Sequence, residues 1–239
     1  RVKVEDQLFE KGKVYTYKLN VTDILENPME IQEVEIKPWD EVEGADEDLV
    51  EFIPAEKKAI DPGLPSGLKW AQGNLGTEEE TEPGLYYMWG EIEGHEKGSG
   101  YEFTTANYEA KELNLITTNL TLAQDAANVR LGGDWRMPTK AEFEELYNNT
   151  DVTWVANFNG TGVSGRKFVN RSDDSKYIFM PVAGYYNGSS LDSWGSYGDY
   201  WSSTFNNASR AWYFGFGSSR QDMDSYSRYY GFAVRGVCQ

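Results

Sequence analysis

The chain has 239 residues and a mass of 27.1 kDa, which accommodates one large domain or two small ones. Its 39% hydrophobic and 15% aromatic content excludes disorder of the whole chain, and a net charge of −17 argues against binding to nucleic acid or to anionic membrane surfaces. A single histidine and a single cysteine argue strongly against a His/Cys zinc site, a disulfide framework or a Ser-His-Asp triad.

No segment predicts a membrane span, because no apolar run approaches the roughly 18 residues that a spanning helix needs. The sequence begins without a methionine or a signal-peptide pattern, so we expect a processed or truncated chain. The charge is uneven: residues 1–98 contain 24 acidic and 10 basic residues, whereas residues 99–239 contain 15 and 12. This gradient indicates two segments that are built for different surroundings.

Residues 1–42 predict a β segment. From Tyr15 to Val21 apolar and polar residues alternate, which is the period of a strand buried on one face. A second alternating run extends from Ile31 to Trp39, and Pro38 places it at a sheet edge or at a strand end. A few strands in about 40 residues cannot form a sandwich alone. We expect them either to pack on the segment C-terminal to them or to be the remnant of a larger domain.

An acidic linker is predicted at residues 43–58. Between Asp40 and Glu51 the chain carries seven acidic residues and no basic one, and self-repulsion keeps such a run extended and solvated. A calcium loop is the alternative interpretation. The EF-hand order of ligands with its central glycine is absent, so a solvated linker is the prediction.

Two helices are predicted in the C-terminal segment by capping boxes, in which a threonine accepts from the N3 amide and the N3 side chain reaches back. The first box begins at Thr121 and the second at Thr139. Gly132-Gly133 ends the first helix, and Pro138 precedes the cap of the second. The inward positions expected from the helical period are Leu122, Ala126 and Val129 in the first helix and Phe143, Leu146 and Tyr147 in the second.

Short strands and turns are predicted beyond Asn148. The clearest strands are Tyr177–Val182, Ala211–Phe216 and Gly231–Val237, and Phe168-Val169 fits a shorter one. Asn159-Gly160 and Asn187-Gly188 predict hairpin turns in which both central residues adopt positive φ.

Seven blocks of residues 59–239 stand in an order typical of one domain family. They are Asp61–Ala71, Tyr86–Glu91, Gly132–Thr139, Glu142–Leu146, Phe179–Gly184, Tyr200–Ser203 and Gly231–Arg235. Together they resemble the Fibrobacter succinogenes major paralogous domain, which is common in surface proteins of gut Bacteroidetes. The resemblance implies an α+β domain that is C-type-lectin-like, in the variant shared with formylglycine-generating enzymes. Two helices, a twisted mixed sheet and long loops are the implied parts.

The first segment carries a second, less specific resemblance. The run Lys11 to Tyr17, with a later run from Ile36 that closes on Trp39, is similar to the last strands of a fimbrillin-type pilin domain of Bacteroidetes. Residues 1–42 are then the remnant of a fimbrillin-like β-sandwich. The two resemblances together imply an extracellular protein of the cell surface, outer membrane or fimbria.

Conspicuous tryptophans and arginines have a structural interpretation. Burial is expected for the four tryptophans inside the family blocks, Trp70, Trp89, Trp135 and Trp201. Arg136 and Arg235 lie in apolar contexts, and each is expected to form an ion pair because a buried guanidinium needs a carboxylate.

No catalytic residue is predicted. Ser202, Ser203 and Thr204 resemble a nucleophile run, but no general base stands near them in sequence, and His95 is expected in a polar turn in solvent. Formylglycine-generating enzymes require a pair of cysteines for their chemistry, whereas Cys238 is alone. We therefore predict a protein that is not an enzyme.

Two loop-like stretches, Tyr185–Tyr197 and Arg220–Arg228, combine aromatic rings with carboxylates, amides and arginine. Sugar sites use such a mixture, because a ring face binds the apolar side of the sugar and polar groups bind its hydroxyls. The candidate ligand-binding residues are Tyr185, Tyr186, Asp192, Trp194, Tyr197, Arg220, Asp222, Asp224 and Tyr226. The alternative is that these rings only pin long loops to the sheet.

Calcium accompanies many lectin folds, but the sequence does not support it here. The Glu-Pro-Asn or Gln-Pro-Asp ligand triplet of sugar-binding C-type lectins is absent, and Gly84 in Glu82-Pro83-Gly84 cannot supply the third oxygen. The acidic run from Glu78 to Glu82 and the pair Asp222 and Asp224 could hold an adventitious cation, although a solvated charge run is the expected interpretation. No cofactor and no metal site are predicted.

The sequence thus predicts a non-enzymatic adhesin of the cell surface or fimbria that binds a glycan or a surface protein. The alternative is a structural pilus or cell-envelope subunit that contacts only other subunits, and a weaker third hypothesis is an enzyme with a carboxylate-based site. An exposed patch around Trp194 and Tyr197 would favour the adhesin. An unpaired strand edge would favour the subunit, and a cleft with paired carboxylates would favour the enzyme.

Overall fold

The computed structural model describes residues 58–239. The strands predicted within residues 1–42 and the linker predicted at residues 43–58, except for its last residue, lie outside the described residues. The described part is an α+β unit made mostly of short strands, with three α-helices in its first half. The α+β class is therefore confirmed, and the expected number of two helices is corrected to three.

The helices are α1 (Thr105–Ala110), α2 (Ala126–Leu131) and α3 (Lys140–Asn149). The strands are β1 (Ala59–Ile60), β2 (Lys69–Ala71), β3 (Tyr86–Tyr87), β4 (Thr150–Val155), β5 (Gly165–Asn170), β6 (Asp173–Pro181), β7 (Tyr185–Asn187), β8 (Ser190–Asp192), β9 (Gly198–Phe205), β10 (Arg210–Phe216), β11 (Gln221–Ser227), β12 (Phe232–Ala233) and β13 (Val237–Cys238). Single 3₁₀ turns occupy Leu113–Leu115, Leu122–Gln124 and Phe158–Gly160.

Within residues 58–239 the strands form four sheets. The largest has the order β11-β10-β9-β12-β3, in which β12 pairs with β9 in parallel and the other neighbours are antiparallel. Two three-stranded sheets have the orders β1-β2-β13 and β4-β5-β6, and β7 and β8 form a hairpin. The expected mixed sheet is therefore present.

The five-stranded sheet has packed side chains on both of its faces. Successive residues of each strand point to opposite sides of the sheet. On one side Phe214 of β10 stacks on Phe143 of α3, with ring centroids 5.1 Å apart. On the other side Tyr213 packs with Phe232, with centroids 5.0 Å apart, and with Trp201 of β9. We call this second side, which carries Tyr213, Trp201 and Phe232, the tyrosine face.

Helix α3 begins where its capping box predicts. The Thr139 hydroxyl accepts from the Glu142 amide at 3.3 Å, and Glu142 Oε2 accepts from the Thr139 amide at 2.7 Å. Phe143 and Leu146 are fully buried, and the partly buried ring of Tyr147 stacks on Phe214. The three inward positions predicted for this helix are confirmed.

Helix α2 starts later than predicted. Residues Leu122–Gln124 form only a 3₁₀ turn, and Asp125 caps the helix by accepting from the amides of Ala127 and Asn128 at 2.9 and 3.0 Å. Leu122 therefore lies outside the helix and is 59% exposed, and Val129 within it is 48% exposed rather than inward. Of the predicted inward positions only Ala126 is buried. The Asp125 carboxylate prevails because it also accepts from the Met137 amide at 2.8 Å.

Helix α1 was not predicted, since its six residues are too few to show a helical period. Thr104 caps it by accepting from the Asn107 amide at 3.2 Å. Its one buried residue, Tyr108, donates from its hydroxyl to the carbonyl of Trp89 at 3.0 Å. Local capping and one long-range contact therefore hold a helix that hydrophobic periodicity does not reveal.

The predicted strands are present with adjusted bounds. Tyr177–Val182 and Ala211–Phe216 correspond to β6 and β10, and Phe168-Val169 lies within β5. The predicted strand Gly231–Val237 is instead divided between two sheets as β12 and β13. The division arises from its bonding, because the carbonyls of Val234 and Gly236 accept from the amides of Leu75 and Ala71 rather than continuing one ladder.

The last strand closes the unit. Val237 and Cys238 of β13 stand opposite Trp70 and Lys69 of β2, and Cys238 is buried. Burial raises the pKa of the Cys238 thiol.

Both predicted turns connect strands, but they differ in geometry. Asn159 and Gly160 both have positive φ in the connection between β4 and β5, as expected. In the hairpin of β7 and β8, Asn187 pairs with Ser190 and only Gly188 has positive φ. The second turn therefore has glycine at its first central position, the pattern of a type II′ turn.

The two arginines of the family blocks are bonded differently. Arg136 forms the expected ion pair, with Nη1 2.8 Å from Glu142 Oε2. Arg235 is fully buried and has no carboxylate partner among the described residues, which corrects the prediction. Its guanidinium donates to Asn74 Oδ1 at 2.8 Å, to the carbonyls of Ala71 and Phe179 at 2.9 Å each, and to the Gln72 carbonyl. Carbonyl oxygens thus replace the carboxylate.

Arg228 has a similar environment that the sequence did not predict. Its buried guanidinium donates to the carbonyls of Ile116 at 2.8 Å and Ala208 at 2.9 Å, and it lies 4.6 Å from the ring centroid of Trp89. The four tryptophans match expectation in part. Trp70, Trp89 and Trp201 are fully buried, and Trp135 is only partly buried.

We predict that Arg235→Met destabilises the full chain by about 3–5 kcal/mol, because the substitution leaves several buried acceptors unpaired. Urea denaturation measures the free energy of unfolding. Arg171→Met is the control: the Arg171 side chain is 54% exposed in an ion pair with Asp151, so its loss is expected to cost less than about 1 kcal/mol. Equal effects of the two substitutions would contradict a structural role for the Arg235 bonds.

Candidate functional site

A pocket of about 170 Å³ opens on the tyrosine face of the five-stranded sheet. It combines aromatic walls with one carboxyl and one guanidinium group. Its lining residues are Tyr185, Ser193, Tyr197, Asp199, Tyr213, Gly215, Arg220, Tyr226 and Phe232. We call it the tyrosine pocket.

Strand register builds the floor of the pocket. Asp199 of β9 stands opposite Gly215 of β10, and Tyr226 of β11 stands opposite Ala211. Gly215 leaves room for the ring of Tyr213, since a Cβ there would lie 2.9 Å from Cε2 of that ring. Gly215 and Tyr213 both line the pocket.

The chain from Gly184 to Tyr197 forms the other wall. The Gly184 amide donates to the Tyr197 carbonyl at 2.8 Å, and the Tyr197 amide donates to the Ser193 carbonyl at 3.1 Å. Gly184 has a φ of 61°, and a Cβ there would lie 2.5 Å from the Asp192 carbonyl. These backbone bonds place the rings of Tyr185 and Tyr197 at the pocket.

The aromatic rings of the pocket are in mutual contact. Ring centroids are 6.1 Å apart for Tyr185 and Tyr226, 6.0 Å for Tyr213 and Tyr226, and 5.7 Å for Tyr185 and Phe232. Each of these pairs has the edge-to-face geometry that aromatic side chains prefer. The rings therefore form a preformed wall rather than loose side chains.

Asp199 is the most unusual group of the pocket. It is 6% exposed, and its Oδ2 atom is buried without a hydrogen-bond partner among the described residues. Burial raises the pKa of the Asp199 carboxyl to about 7, although the charge of Arg220 acts in the opposite direction. A carboxyl with this environment gains from any ligand that brings a positive charge or a hydrogen-bond donor.

Acidic groups outnumber basic ones around the pocket. Arg220 Nη2 lies 3.6 Å from Asp222 Oδ1, and register places Asp222 and Asp224 on the same face of β11 as Tyr226. Burial raises the pKa of the Tyr213 hydroxyl, and the nearby charges of Asp199, Asp224 and Asp222 raise it further. The local field therefore favours positive charge.

Four of the nine sequence-predicted residues line the pocket: Tyr185, Tyr197, Arg220 and Tyr226. Asp222 and Asp224 lie beside it, on a strand rather than in the expected loop, because β11 pairs with β10 from residue 221 to 227. Tyr197 is 41% exposed, as a ligand-contacting ring would be.

The other three predicted residues lie away from the lining. Tyr186 is buried in a different cluster, where its ring stacks on Phe103 and its hydroxyl accepts from the Gly98 amide at 2.9 Å. Asp192 accepts from the Ser190 hydroxyl within the hairpin. Trp194 is 45% exposed, but the Lys97 ammonium lies 3.5 Å from its ring centroid and occupies one face of the indole.

Sequence reasoning missed Asp199 and Tyr213. The alternation of β9 places Asp199 on the same face as Trp201. A carboxyl is unusual on such an apolar face, and this feature of the sequence could have identified Asp199. The alternation of the predicted strand Ala211–Phe216 likewise places Tyr213 with Ala211 and Gly215. What the sequence could not show is that the two strands are neighbours.

His95 does not lie in the expected polar turn. Its backbone pairs with Tyr86, its ring stacks on Tyr101 with centroids 3.5 Å apart, and its Nε2 atom lies 2.9 Å from Glu91 Oε1. The buried Glu91 carboxylate also accepts from Lys111 Nζ at 2.6 Å. This cluster has a structural explanation, because a buried carboxylate requires such donors.

The hydroxyl run at the end of β9 is occupied by backbone bonds. Ser202 donates to the Trp212 carbonyl at 2.8 Å, Ser203 donates to the Pro138 carbonyl at 3.3 Å, and Thr204 accepts from the Lys140 amide at 2.9 Å. The partners of these hydroxyls are therefore those of structural groups.

A larger cavity of about 410 Å³ lies between β1, β6 and Glu80. Burial raises the pKa of the Glu80 carboxyl, which accepts from the Tyr177 hydroxyl at 3.4 Å. The tyrosine pocket is the stronger candidate because its buried carboxyl lacks such a partner among the described residues. Within residues 58–239, no three His, Cys, Asp or Glu side chains are close enough to hold a metal ion.

Residues 155–237 match a family described as Domain of unknown function (DUF8237). The matched range contains every residue that lines the tyrosine pocket. Comparison with curated proteins and with solved structures gave no match. None of the helices in the described part of the chain has the length and hydrophobicity of a membrane-spanning helix.

We predict that Asp199→Asn stabilises the protein at pH 8 and has little effect at pH 4. The pKa of Asp199 is about 7 in the folded chain against an ordinary value of 3.8. Ionisation of Asp199 therefore lowers the free energy of unfolding as the pH rises through this range, by up to about 4 kcal/mol. Urea denaturation of both chains at the two pH values measures the difference. A stability difference that is independent of pH would contradict the prediction.

Proposed function

We propose that the chain is a non-enzymatic adhesin of the cell surface or fimbria, with a C-type-lectin-like domain that binds a glycan through the tyrosine pocket. The observation that carries the proposal is the composition of the pocket, in which Tyr185, Tyr197 and Tyr226 surround a buried Asp199 beside Arg220. Aromatic faces suit the apolar side of a sugar ring, and the charged groups suit its hydroxyls.

The size of the pocket supports a small recognition unit. Its volume of about 170 Å³ is below the roughly 300–1,000 Å³ of pockets that enclose drug-sized ligands. One sugar ring or the end of a chain is therefore the expected occupant, with the rest of a glycan outside. Tyr197, at the exposed rim, is placed to contact such an extension.

The lectin-like assignment rests on the order of elements and on the sequence blocks. Helices α2 and α3 precede the run of strands β4 to β13, and a mixed sheet carries the blocks Tyr200–Ser203 and Gly231–Arg235. This order agrees with what the resemblance implies. The surface or fimbrial location rests on the resemblance of residues 1–42 and 59–239 to Bacteroidetes surface proteins.

A structural pilus or envelope subunit is the second candidate, and the edge of the five-stranded sheet favours it. Within residues 58–239, strand β11 has a paired neighbour on one side only, and such an edge is a template for a partner strand. Its residues Asp222 and Asp224 oppose pairing with a second copy of the same edge through like charges. The subunit hypothesis thus requires a different partner strand.

We predict that the full chain binds to a glycan array and that Tyr197→Ala reduces the signal at least roughly tenfold, since it removes one wall of the pocket. Trp194→Ala is the matched control, because Trp194 is similarly exposed but does not line the pocket, and it is expected to bind within about twofold of the native chain. Melting temperatures of both variants confirm folding.

Arrays are read with and without calcium, since the sequence lacks the lectin calcium triplet. A blank array in both buffers would contradict glycan binding. Loss of signal with Trp194→Ala alone would move the site from the pocket to the exposed aromatic patch. Concentration-dependent association of the full chain that is abolished by Met223→Pro in β11 would instead support the subunit hypothesis.

A further inference from the structure

The tyrosine pocket is lined by a carboxyl group with an unsatisfied oxygen. Asp199 is almost fully buried, and its Oδ2 atom has no hydrogen-bond partner among the described residues. Elsewhere in residues 58–239, the buried carboxyls Asp125 and Glu91 have several donors each. An unpartnered carboxyl costs stability in the free protein. Its presence in the wall of a pocket indicates that the missing donor belongs to a ligand.

The charged groups around the pocket indicate the sign of the charge on that ligand. Asp199, Asp222 and Asp224 face the ring of Tyr213, and Arg220 is the one opposing charge among the described residues that line the pocket. The guanidinium of Arg220 lies 3.6 Å from Asp222, which offsets part of its charge. A negative field in a pocket concentrates cations.

The aromatic walls suit a cation as well. The rings of Tyr185, Tyr213 and Tyr226 pack on one another and all three line the pocket, and an aromatic ring attracts an ammonium group held within about 6 Å of its centroid through the ring quadrupole. A carboxyl behind aromatic rings therefore offers two favourable contacts to one ammonium group. A neutral hydroxyl would gain only the hydrogen bond to the carboxyl and not the attraction of the ring faces.

We propose that the tyrosine pocket selects an unacetylated amino sugar, whose ammonium group binds Asp199 beside the rings of Tyr185, Tyr213 and Tyr226 that line the pocket. The inference rests on the proposed glycan binding and narrows it to cationic hexosamines.

An amino sugar fits the lining better than a lysine side chain does. A lysine brings a single polar group and would use only Asp199, leaving Arg220 and Ser193 without a role. A hexosamine ring carries hydroxyls beside its ammonium group, and these can accept from a guanidinium and exchange hydrogen bonds with hydroxyl groups. The combination of one carboxylate, one guanidinium and several hydroxyls around one small pocket therefore favours the sugar.

The first test compares two probes by isothermal titration calorimetry on the full chain. Methyl glucosaminide is expected to bind at least roughly tenfold more tightly than methyl N-acetylglucosaminide, which has no ammonium charge and adds an acetyl group to a small pocket. Methyl glucoside, which carries a hydroxyl in place of the amine, is the neutral control of equal size. This comparison needs no variant and therefore does not depend on the folding of one.

The second test uses Asp199→Asn, with Asp151→Asn as the matched control. Asp151 is an exposed aspartate of β4 in a different sheet. Asp199→Asn is expected to remove the preference for methyl glucosaminide over methyl glucoside, whereas Asp151→Asn keeps it within about twofold. The melting temperatures of both variants are measured alongside.

Acid provides an independent readout. The groups that face Asp199 are Tyr213 of β10, Tyr226, Asp222 and Asp224 of β11, Tyr185 and Tyr197 of the opposite wall, and Arg220. The pKa of Asp199 is about 7, so its ionised fraction falls as the pH is lowered from 7 to 5. The affinity for methyl glucosaminide is expected to fall roughly tenfold or more over that range. The weaker affinity for methyl glucoside is expected to stay unchanged.

The outcomes separate this inference from the proposed function. Equal binding of methyl glucosaminide and methyl glucoside, unchanged in Asp199→Asn, would overturn the amino-sugar selection and leave glycan binding intact. Absence of binding to every sugar, on the array and by calorimetry, would overturn both. Binding of Nα-acetyl-lysine methylamide without binding of methyl glucosaminide would assign the pocket to a lysine side chain and would overturn the amino-sugar proposal.

Discussion

The buried guanidinium of Arg235 connects three sheets that have no strand in common. Arg235 lies in the chain between β12 of the five-stranded sheet and β13. Its guanidinium donates to the carbonyl of Ala71 at the end of β2 and to the carbonyl of Phe179 in β6. A guanidinium without partners is very costly in a protein interior. The folded chain must therefore bring these carbonyls and Asn74 together around one side chain. This requirement holds the three sheets in fixed relative positions.

The tyrosine pocket lies on one of these sheets. Its floor is part of a sheet whose opposite face is held by α3, and its wall is held by backbone bonds around Gly184. Gly215, which stands opposite Asp199, leaves room for the ring of Tyr213. The Asp199 carboxyl, unpartnered among the described residues, works against folding within this frame. Sites that reduce stability in this way are tolerated where the rest of the structure over-determines them.

The sequence was informative where the decisive interactions are local. Helix α3 could be predicted from its own capping box, and β6 and β10 from their apolar, aromatic-rich runs. It was misleading at α2, because the acceptor that prevails there, Asp125, is recruited by Met137 from across a turn. The partners of Arg235 were equally hidden, since they are carbonyls more than fifty residues away. The aromatic residues of the candidate site, such as Tyr185 and Tyr226, could be identified from the sequence. The place of Asp199 in the site follows only from the pairing of β9 with β10.

The position of Cys238 gives the protein an internal reporter. It is the only cysteine of the chain, and it is buried in β13 against β2. A thiol in this position reacts only when the strand detaches, because reaction requires both access and ionisation. The rate at which a thiol reagent labels the native protein therefore times the local opening of the last strand. This measurement needs no engineered probe. It reports on the sheet that contains β2, the strand whose Ala71 carbonyl accepts from Arg235.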